Sequence, residues 1–336
     1  MKIAVDAFGG DNAPLSVIKG ASDAAREYGV DIILTGDKGI IEKCAAENNI
    51  DISGLEIRHT DSIFDMHDKP TDILKSKRGT SLGLAMDIVA NGEADAFVSA
   101  GSTGAIMAGA TFIVKRIKGV ERPAIATVIP TMTDRRLLLM DAGANAECRP
   151  EMLRQFGIMA SLYLENAEGI KNPEIGLLNI GTEDTKGGSL QIEAYKLLKE
   201  SPLNFVGNIE ARELPAGVCD AVIADGFTGN VALKLYEGVA SNMMKLIKRT
   251  LMSNLRSKIA ALLAKKALYS LKDKMNYDDI GGAPMLGVKK PVIKAHGSSN
   301  DVAIKNAIRQ AKRCAENDVV GKISADLEKI AASAGE

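Results

Sequence analysis

The sequence is poor in the residues that mark metal centres and disulfide-rich folds. It has no Trp, three His and four Cys among 336 residues. The cysteines are Cys44, Cys148, Cys219 and Cys314, and they form no CxxC pair. This spacing disfavours structural zinc and a disulfide framework. HExxH and other His/Cys clusters are also missing. We therefore expect no metal, and reduced thiols in a cytoplasmic protein.

Long apolar runs are missing as well. No window offers about 18 uninterrupted apolar residues, so no membrane-spanning helix is expected. The first residues, MKIAVDAFGGD, place Asp6 within the first apolar run and contain no long apolar stretch, so no secretory signal is expected. Repeats, low-complexity tracts and Pro- or Gly-rich linkers are absent. We expect one α/β domain over residues 1–336, with a helical excursion at residues 237–278.

Short apolar runs alternate with helical patterns along most of the chain. The glycine content is high (32 residues) and the aromatic content low (4%), as suits many strand-to-helix turns. The predicted strands are residues 2–7, 31–36, 55–61, 96–101, 124–130, 136–143, 175–181, 204–210, 221–226 and 291–297. The predicted helices are residues 14–28, 37–49, 80–91, 104–118, 150–167, 188–200, 230–270 and 300–332. This alternation predicts a mostly parallel sheet with helices on both faces.

Six polar loops follow predicted strands, each with glycine beside Ser, Thr, Asn, Asp or His. They are residues 6–14, 99–105, 141–147, 179–188, 225–230 and 295–300. Because ligands bind beyond the carboxyl ends of parallel strands, we expect these loops to share one edge and form one cleft. Asn145, in the third loop, is included among the expected binding residues.

The loop SAGSTGA has the composition of a phosphate-binding helix entry. Gly101 and Gly104 permit close approach of the backbone, and Ser102 and Thr103 can cap the helix or donate to an oxygen. The same residues also make ordinary helix caps, so this loop alone does not decide the function. It is neither a Walker A loop nor a GxGxxG fingerprint, which disfavours nucleotide enzymes.

Two more loops offer a cation and an acid–base group. NIGTEDTKGG contains Thr182, Glu183 and Lys186, and its lysine could neutralise an anion or simply face solvent. AHGSSN places His296 and Ser298 directly after an apolar strand, where the imidazole could act as general acid, general base or phosphate donor.

The loop DGFTGN contributes Asp225, Thr228 and Asn230, of which Asp225 could be no more than a helix cap. The serine-hydrolase signature GxSxG is absent. The loops together predict a cleft that binds oxyanions without a covalent nucleophile. We interpret this as a transfer reaction in which the anion itself attacks.

Residues 243–274 are strongly basic. Seven Lys and two Arg face one Asp, so this segment has a net charge of +8 in a chain whose total is −1. An apolar stripe is predicted through Met244, Ile247, Leu251, Leu255, Ile259 and Leu262, with Lys245, Lys248, Arg249, Arg256, Lys258, Lys265 and Lys266 on the other faces. Such a segment can lie on an anionic bilayer, bind an acidic protein, or pack as a helical hairpin on its own or a second subunit. It lacks interleaved aromatic residues, which disfavours nucleic acid.

Seven segments resemble the bacterial phosphate acyltransferase family, the acyl-acyl carrier protein:phosphate acyltransferases of phospholipid synthesis. They are IAVDAFGGDNAP, SAGSTGA, RIKGVERPAIA, LLLMDAGAN, GLLNIGTEDTKG, ADGFTGNVALK and PVIKAHGSS. The resemblance extends from Ile3 to about Arg313, and residues 61–78 fit more loosely.

The resemblance implies transfer of a fatty acyl group from acyl carrier protein to inorganic phosphate, without metal or nucleotide. It also implies a three-layer α/β/α homodimer, similar to phosphotransacetylases and isocitrate-dehydrogenase-like enzymes, at the membrane surface where an acyltransferase uses the acyl phosphate.

On this hypothesis Lys186 and residues 101–104 hold phosphate, and His296 acts as base or oxyanion donor. Asn230, Thr228 and Asp225 orient the site. The basic residues at 243–266 receive carrier protein, lipid or both.

Three alternatives remain at this point. One is a phosphotransacetylase acting on short acyl-CoA. Another is a non-catalytic acyl- or lipid-binding protein with the same cleft. The third, a metal- and NAD-dependent decarboxylating dehydrogenase, would need clustered carboxylates, whereas the loops contain only scattered ones.

Overall fold

A computed structural model describes residues 1–65, 67–133, 135–268 and 281–333. Its strands form one sheet in the order β3-β2-β1-β4-β11-β10-β5-β6-β9-β7-β8. The strands are β1 (Lys2–Asp6), β2 (Asp31–Gly36), β3 (Glu56–His59), β4 (Ala96–Ser99), β5 (Ala124–Ile129), β6 (Leu137–Met140), β7 (Glu174–Asn179), β8 (Asn204–Glu210), β9 (Ala221–Ile223), β10 (Ala283–Leu286) and β11 (Val292–Lys294).

The described helices pack on both faces of this sheet. They are α1 (Leu15–Tyr28), α2 (Lys38–Glu47), α3 (Ser81–Ala90), α4 (Thr103–Gly109), α5 (Pro150–Tyr163), α6 (Ser189–Lys199), α7 (Gly226–Leu251), α8 (Leu255–Leu263), α9 (Asp301–Glu316) and α10 (Val319–Ser333). Short π-helical turns, Ala110–Lys115 and Leu164–Glu168, continue α4 and α5. Two short 3-10 helices, Pro70–Leu74 and Ala211–Ala216, were not expected from the sequence.

Alternation along the strands produces the three layers. In β1, Ile3 and Val5 point to the face covered by α1, α5 and α9, whereas Ala4 points to the face covered by α3 and α4. Successive side chains of a strand point to opposite faces, so strands apolar at every position need helices on both sides. The predicted α/β architecture with a mostly parallel sheet is confirmed.

The direction of the strands changes in the middle of the sheet. Strands β3, β2, β1, β4 and β11 are parallel to one another, β10 is antiparallel to both β11 and β5, and β5 is antiparallel to β6. Strands β6, β9, β7 and β8 are parallel to one another. Their carboxyl ends therefore face the edge opposite to those of β1, β4 and β11. The expectation that all six loops share one edge is wrong.

The basic segment differs from the single long helix that was expected. Helix α7 begins at Gly226, where the Asp225 carboxylate accepts from the Thr228 amide, and ends at Leu251. Asn254 then caps α8 by accepting from the Ser257 amide at 2.9 Å. The apolar stripe is therefore divided between two helices, and residues 269–278 of the predicted excursion lie outside the described residues. Within the described part of the chain, no helix is long and apolar enough to cross a bilayer.

Candidate active site

A cleft of about 1050 Å³ lies between α7, the start of α4 and the carboxyl end of β11. One end of the cleft is polar, and a wall beside it is apolar. The polar end includes Thr103, Asn230, Lys234, Lys294, His296, Ser298 and Ser299. The apolar wall includes Ile125, Val128, Leu233, Ala240 and Met244, and Lys245 and Lys248 follow along α7.

Hydrogen bonds join three of the six predicted loops at the polar end. The Asp11 amide donates to the Gly297 carbonyl at 2.8 Å, and the Ala295 amide donates to the Ser99 carbonyl at 2.9 Å. These bonds join the loops after β1, β4 and β11. Gly10 has φ +98°, and a Cβ there would lie 2.8 Å from the Gly297 carbonyl oxygen, so this contact requires glycine.

His296 is oriented by its own loop. Ser298 approaches the imidazole Nδ1 with its Oγ at 2.8 Å and with its amide N at 3.3 Å. Since an amide N–H can only donate, Nδ1 is the acceptor and the proton of the neutral ring lies on Nε2. Asn12 fixes the backbone beyond it by donating to the carbonyls of Ser298 and Ser299. The loop therefore presents His296 as a hydrogen-bond donor.

The loop after β4 contributes Thr103 to the cleft. The buried Asp6 carboxylate accepts from Ser99 Oγ at 2.7 Å, and Ser99 Oγ in turn accepts from the Gly101 amide at 2.9 Å. Burial raises the pKa of Asp6. Residues Gly101, Ser102 and Gly104 adjoin Thr103 but do not themselves line the cleft.

The loops after β6 and β9 lie together at the other edge. The Asp141 carboxylate accepts from the amides of Gly143, Ala144 and Asn145, and burial raises its pKa. The Asn145 carbonyl accepts from the Gly226 amide at 2.7 Å. These bonds seat the start of α7 on the turn after β6.

Helix α7 connects this edge to the cleft. Asn230, one turn into the helix, lies against Gly143 and lines the cleft. Asp225 accepts from the Thr228 amide at 2.8 Å and from Thr228 Oγ1 at 2.7 Å, so both residues serve as the helix cap. Of these predicted residues, Asn230 lines the cleft, whereas Asn145, Asp225 and Thr228 support the backbone below it.

The loop after β7 lies away from the cleft. Lys186 Nζ is 3.8 Å from Glu183 Oε1, and the Glu183 carbonyl accepts from Asn208 Nδ2 at 2.7 Å. Thr182, Glu183 and Lys186 are not among the residues that line the cleft. β7 lies beyond β6 and β9 in the sheet order, and it is the segments after β6 and β9 that reach the cleft. Phosphate binding by Lys186 stays a prediction.

Two lysines of the cleft were missed by the sequence reasoning. Lys234 pairs with Glu237 at 2.8 Å, and Lys294 is the last residue of β11. Burial, followed by the positive charge of Lys234, lowers the pKa of Lys294 to about 8. A signal was present in PVIKAHG, where a lysine ends an apolar strand two residues before His296.

The basic face of α7 and α8 combines charge with exposed apolar side chains. Leu255 is 73% exposed and Leu262 70% exposed, and Ile259 is also exposed. Leu251 is only partly exposed. The basic residues of α7, of α8 and of the segment that follows α8 are all exposed: Lys245, Lys248, Arg249, Arg256, Lys258, Lys265 and Lys266. Among the described residues, no group of three or more His, Cys, Asp or Glu is arranged to hold a metal ion.

The fold resembles that of solved phosphotransacetylases. A phosphotransacetylase from Streptococcus pyogenes superimposes with a TM-score of 0.64 at 16% identity, covering 93% of this chain and 94% of the other. The EutD phosphotransacetylase from Staphylococcus aureus gives a TM-score of 0.59 at 17% identity, covering 93% of this chain and 94% of the other. At these identities the likeness establishes the shared fold.

The sequence relationship is much closer to another group of enzymes. The family described as "Fatty acid synthesis protein" matches residues 1–322. The phosphate acyltransferase of Clostridioides difficile is 46% identical over 329 residues, covering 98% of this chain and 97% of its own length. That of Oceanobacillus iheyensis is 46% identical over 330 residues, covering 98% of both chains. The chain therefore belongs to the fatty acid synthesis protein family, as an enzyme of its phosphate acyltransferase group.

Proposed function

We propose that this enzyme transfers a fatty acyl group from the thioester of acyl carrier protein to inorganic phosphate, giving acyl phosphate and free carrier protein. The observation that carries the proposal is the cleft, in which cations and hydrogen-bond donors lie beside an apolar wall. Phosphate suits the polar end, and the first carbons of an acyl chain suit the wall of Leu233, Val128 and Met244. The relatives are named phosphate acyltransferases, which supports phosphate as the acceptor of the acyl group.

The reaction needs no covalent enzyme intermediate. A phosphate oxygen attacks the thioester carbonyl carbon, the C–O bond forms, and the C–S bond breaks as its electron pair leaves on the carrier thiolate. A thiolate with a pKa near 8.5 is a stable leaving group, so proton donation to sulfur is not essential. The carbonyl oxygen becomes negative in the transition state and is stabilised by positioned donors.

His296 is suited to the donor role. With Nδ1 accepting from Ser298, its Nε2–H can donate to the developing oxyanion. Asn230 and Thr103 provide further polar groups in the cleft. Holding phosphate and thioester together supplies much of the remaining rate enhancement. Gly101, Ser102 and Gly104 form the turn that positions Thr103. Asn145, Asp225 and Thr228 fix the start of α7 and so position Asn230.

The basic segment is proposed to receive the acidic carrier protein, the anionic membrane surface, or both. Lys245 and Lys248 lie on α7 at the cleft, and α8 presents exposed leucines next to Arg256 and Lys258. This arrangement would bring the acyl donor to the cleft at the bilayer, where a downstream acyltransferase consumes acyl phosphate. The enzyme would then be a cytoplasmic homodimer, peripherally bound to the membrane.

Thiol release from palmitoyl-acyl carrier protein, with and without inorganic phosphate and with EDTA throughout, tests this function. We expect release that depends on phosphate, acyl phosphate trapped as its hydroxamate, and little release from acetyl-CoA. Preference for acetyl-CoA would instead indicate a phosphotransacetylase. Binding of the carrier without thiol release would indicate a non-catalytic binding protein.

A further inference from the structure

The polar end of the cleft contains a cation without a carboxylate partner. Lys294 lies opposite Ala283 of β10 and beside Ser99 of β4 in the sheet, and its partly buried side chain lines the cleft. Its Nζ donates to the carbonyl of Ala295. Within the described part of the chain no acidic side chain forms an ion pair with it, unlike Lys234, which pairs with Glu237.

A second residue of the cleft lining has an unsatisfied hydroxyl. Ser299 is 6% exposed and lines the cleft, and its Oγ has no hydrogen-bond partner among the described residues. Its backbone is fixed, because its carbonyl accepts from Asn12 and its amide donates to the His296 carbonyl. A buried hydroxyl without a partner is costly, as is a partly buried ammonium without a counter-ion. An anion bound at this end of the cleft would pair with Lys294, and rotation of the Ser299 side chain toward the cleft would give its hydroxyl a partner as well.

We propose that Lys294 and Ser299 bind the phosphate that attacks the thioester, Lys294 through its ammonium group and Ser299 as a hydroxyl donor. This inference rests on the proposed function, because it assigns residues to its acceptor substrate. The site is built on β11 and on the turn before α9, so phosphate lies next to the His296 donor. This site differs from the one expected from the sequence, which consists of Lys186 and residues 101–104.

The charges around Lys294 determine how binding depends on pH. Lys234 of α7 lowers the pKa of Lys294, Asp11 of the loop after β1 opposes this effect, and burial is the larger cause. Two more titratable groups line the same cleft. Glu237 forms an ion pair with Lys234, and His296 lies on the loop that also contains Ser299. In the free enzyme Lys294 is charged below about pH 8 and loses its charge as the pH rises through that value. Phosphate binding therefore weakens above pH 8.

Steady-state kinetics of four variants test the assignment. Lys294→Met and Ser299→Ala should raise the KM for phosphate about 10- to 100-fold, as expected for hydrogen bonds to charged groups, with little change in the KM for acyl carrier protein. Lys294→Arg, which stays charged, should keep phosphate affinity near the wild-type value and remove the rise in KM above pH 8. Lys289→Met removes an exposed lysine just before β11 and should behave as wild type. An unchanged phosphate KM in Lys294→Met would overturn the proposal.

A binding measurement separates this inference from the proposed function. The full chain is reductively methylated with ¹³C, and the Lys294 signal is assigned by its loss in Lys294→Met. The signal should titrate near pH 8, and inorganic phosphate should raise that pKa by about one unit or more. If phosphate leaves the titration unchanged, the inference is wrong, whatever the turnover. A phosphate response in an enzyme that releases no thiol would leave the inference standing and reject the proposed function.

Discussion

His296 and Lys294 show how single residues are prepared for their roles. Ser298 fixes the imidazole so that Nε2 carries its proton, while the end of β11 places an ammonium group where burial and Lys234 act against its charge. A lysine with a lowered pKa destabilises the folded state when it is charged. Its position in the cleft supports a binding role, because binding sites commonly carry a cost in stability.

Replacing His296 tests the oxyanion-donor role. We expect His296→Ala to lower kcat by about 10²–10³-fold, the effect typical of removing one donor from an oxyanion site, without changing the unfolding temperature. His59→Ala is the matched control, because His59 lies at the end of the edge strand β3 and accepts only from the Lys38 amide among the described residues.

Lys186→Ala should also reduce turnover by orders of magnitude if that lysine holds phosphate, as the sequence-based hypothesis assigns. The turnover of the His296→Ala and Lys186→Ala variants is measured in a stopped assay. Circular dichroism spectra that match the wild type show that each purified variant is folded. A rate near that of the wild type for either variant would remove the residue from the site.

The sequence could identify some cleft residues and not others. Thr103, Asn230, His296 and Ser298 were found because glycine-rich turns after apolar runs signal strand ends. Asp225 and Thr228 have the same kind of signal, yet they satisfy each other at the cap of α7. Composition does not distinguish a capping hydroxyl from one that faces a ligand; only the position of the turn relative to the cleft does.

Helix α7 joins the proposed chemistry to the proposed docking surface. At 26 residues it extends about 39 Å, from the turn at Asp141, past Asn230 and Lys234 in the cleft, to Lys248 near its end. The sequence predicted a helix from residue 230 and continued it to residue 270. The break between α7 and α8 has a sequence signal, because Ser253 and Asn254 are residues that favour helix caps. The apolar stripe continues across these residues, and it led to the prediction of one helix.

The exposed face of α8 predicts a measurable affinity for anionic vesicles. The double variant Leu255→Glu, Leu262→Glu should reduce co-sedimentation with phosphatidylglycerol vesicles at least about tenfold, because two exposed leucines no longer enter the bilayer and the added charge is repelled. Ile40→Glu, at a 47% exposed position on α2, is the matched control.

The same double variant distinguishes lipid from carrier protein as the occupant of α8. Turnover of soluble palmitoyl-acyl carrier protein without vesicles should be retained if the leucines contact lipid alone. A raised KM for the carrier would place the carrier on α8. Unchanged vesicle binding would contradict a membrane role for these two residues.

At the scale of the whole molecule, the reversal of strand direction decides where the site lies. The apolar patterns gave the layers and ten of the eleven strands, because alternation reports burial. They did not give strand direction, because the alternation of side chains between the two faces is the same whichever way a strand runs. The link from Ile129 to Leu137 did contain a signal: it is too short for a crossover helix and so requires an antiparallel pair. β10 was missed because its sequence, APML, contains a proline and no β-branched residue, so it does not resemble a strand.

The reversal leaves the loops after β1, β4 and β11 at one edge, and the other edge reaches the cleft through α7 and through Ala142 and Gly143 of the turn after β6. One chain therefore places His296, Lys294 and Asn230 in the cleft but not Lys186. Phosphate is consequently expected at the β11 end of the cleft.

The central claim is that inorganic phosphate accepts the acyl group, and isotope transfer tests it most directly. Purified enzyme is incubated with palmitoyl-acyl carrier protein and phosphate labelled with ¹⁸O, and the products are weighed by mass spectrometry as thiol release is followed. The account predicts one fully labelled palmitoyl phosphate for each thiol released. Thiol release accompanied by free palmitate carrying oxygen from water, with no labelled acyl phosphate, would contradict it.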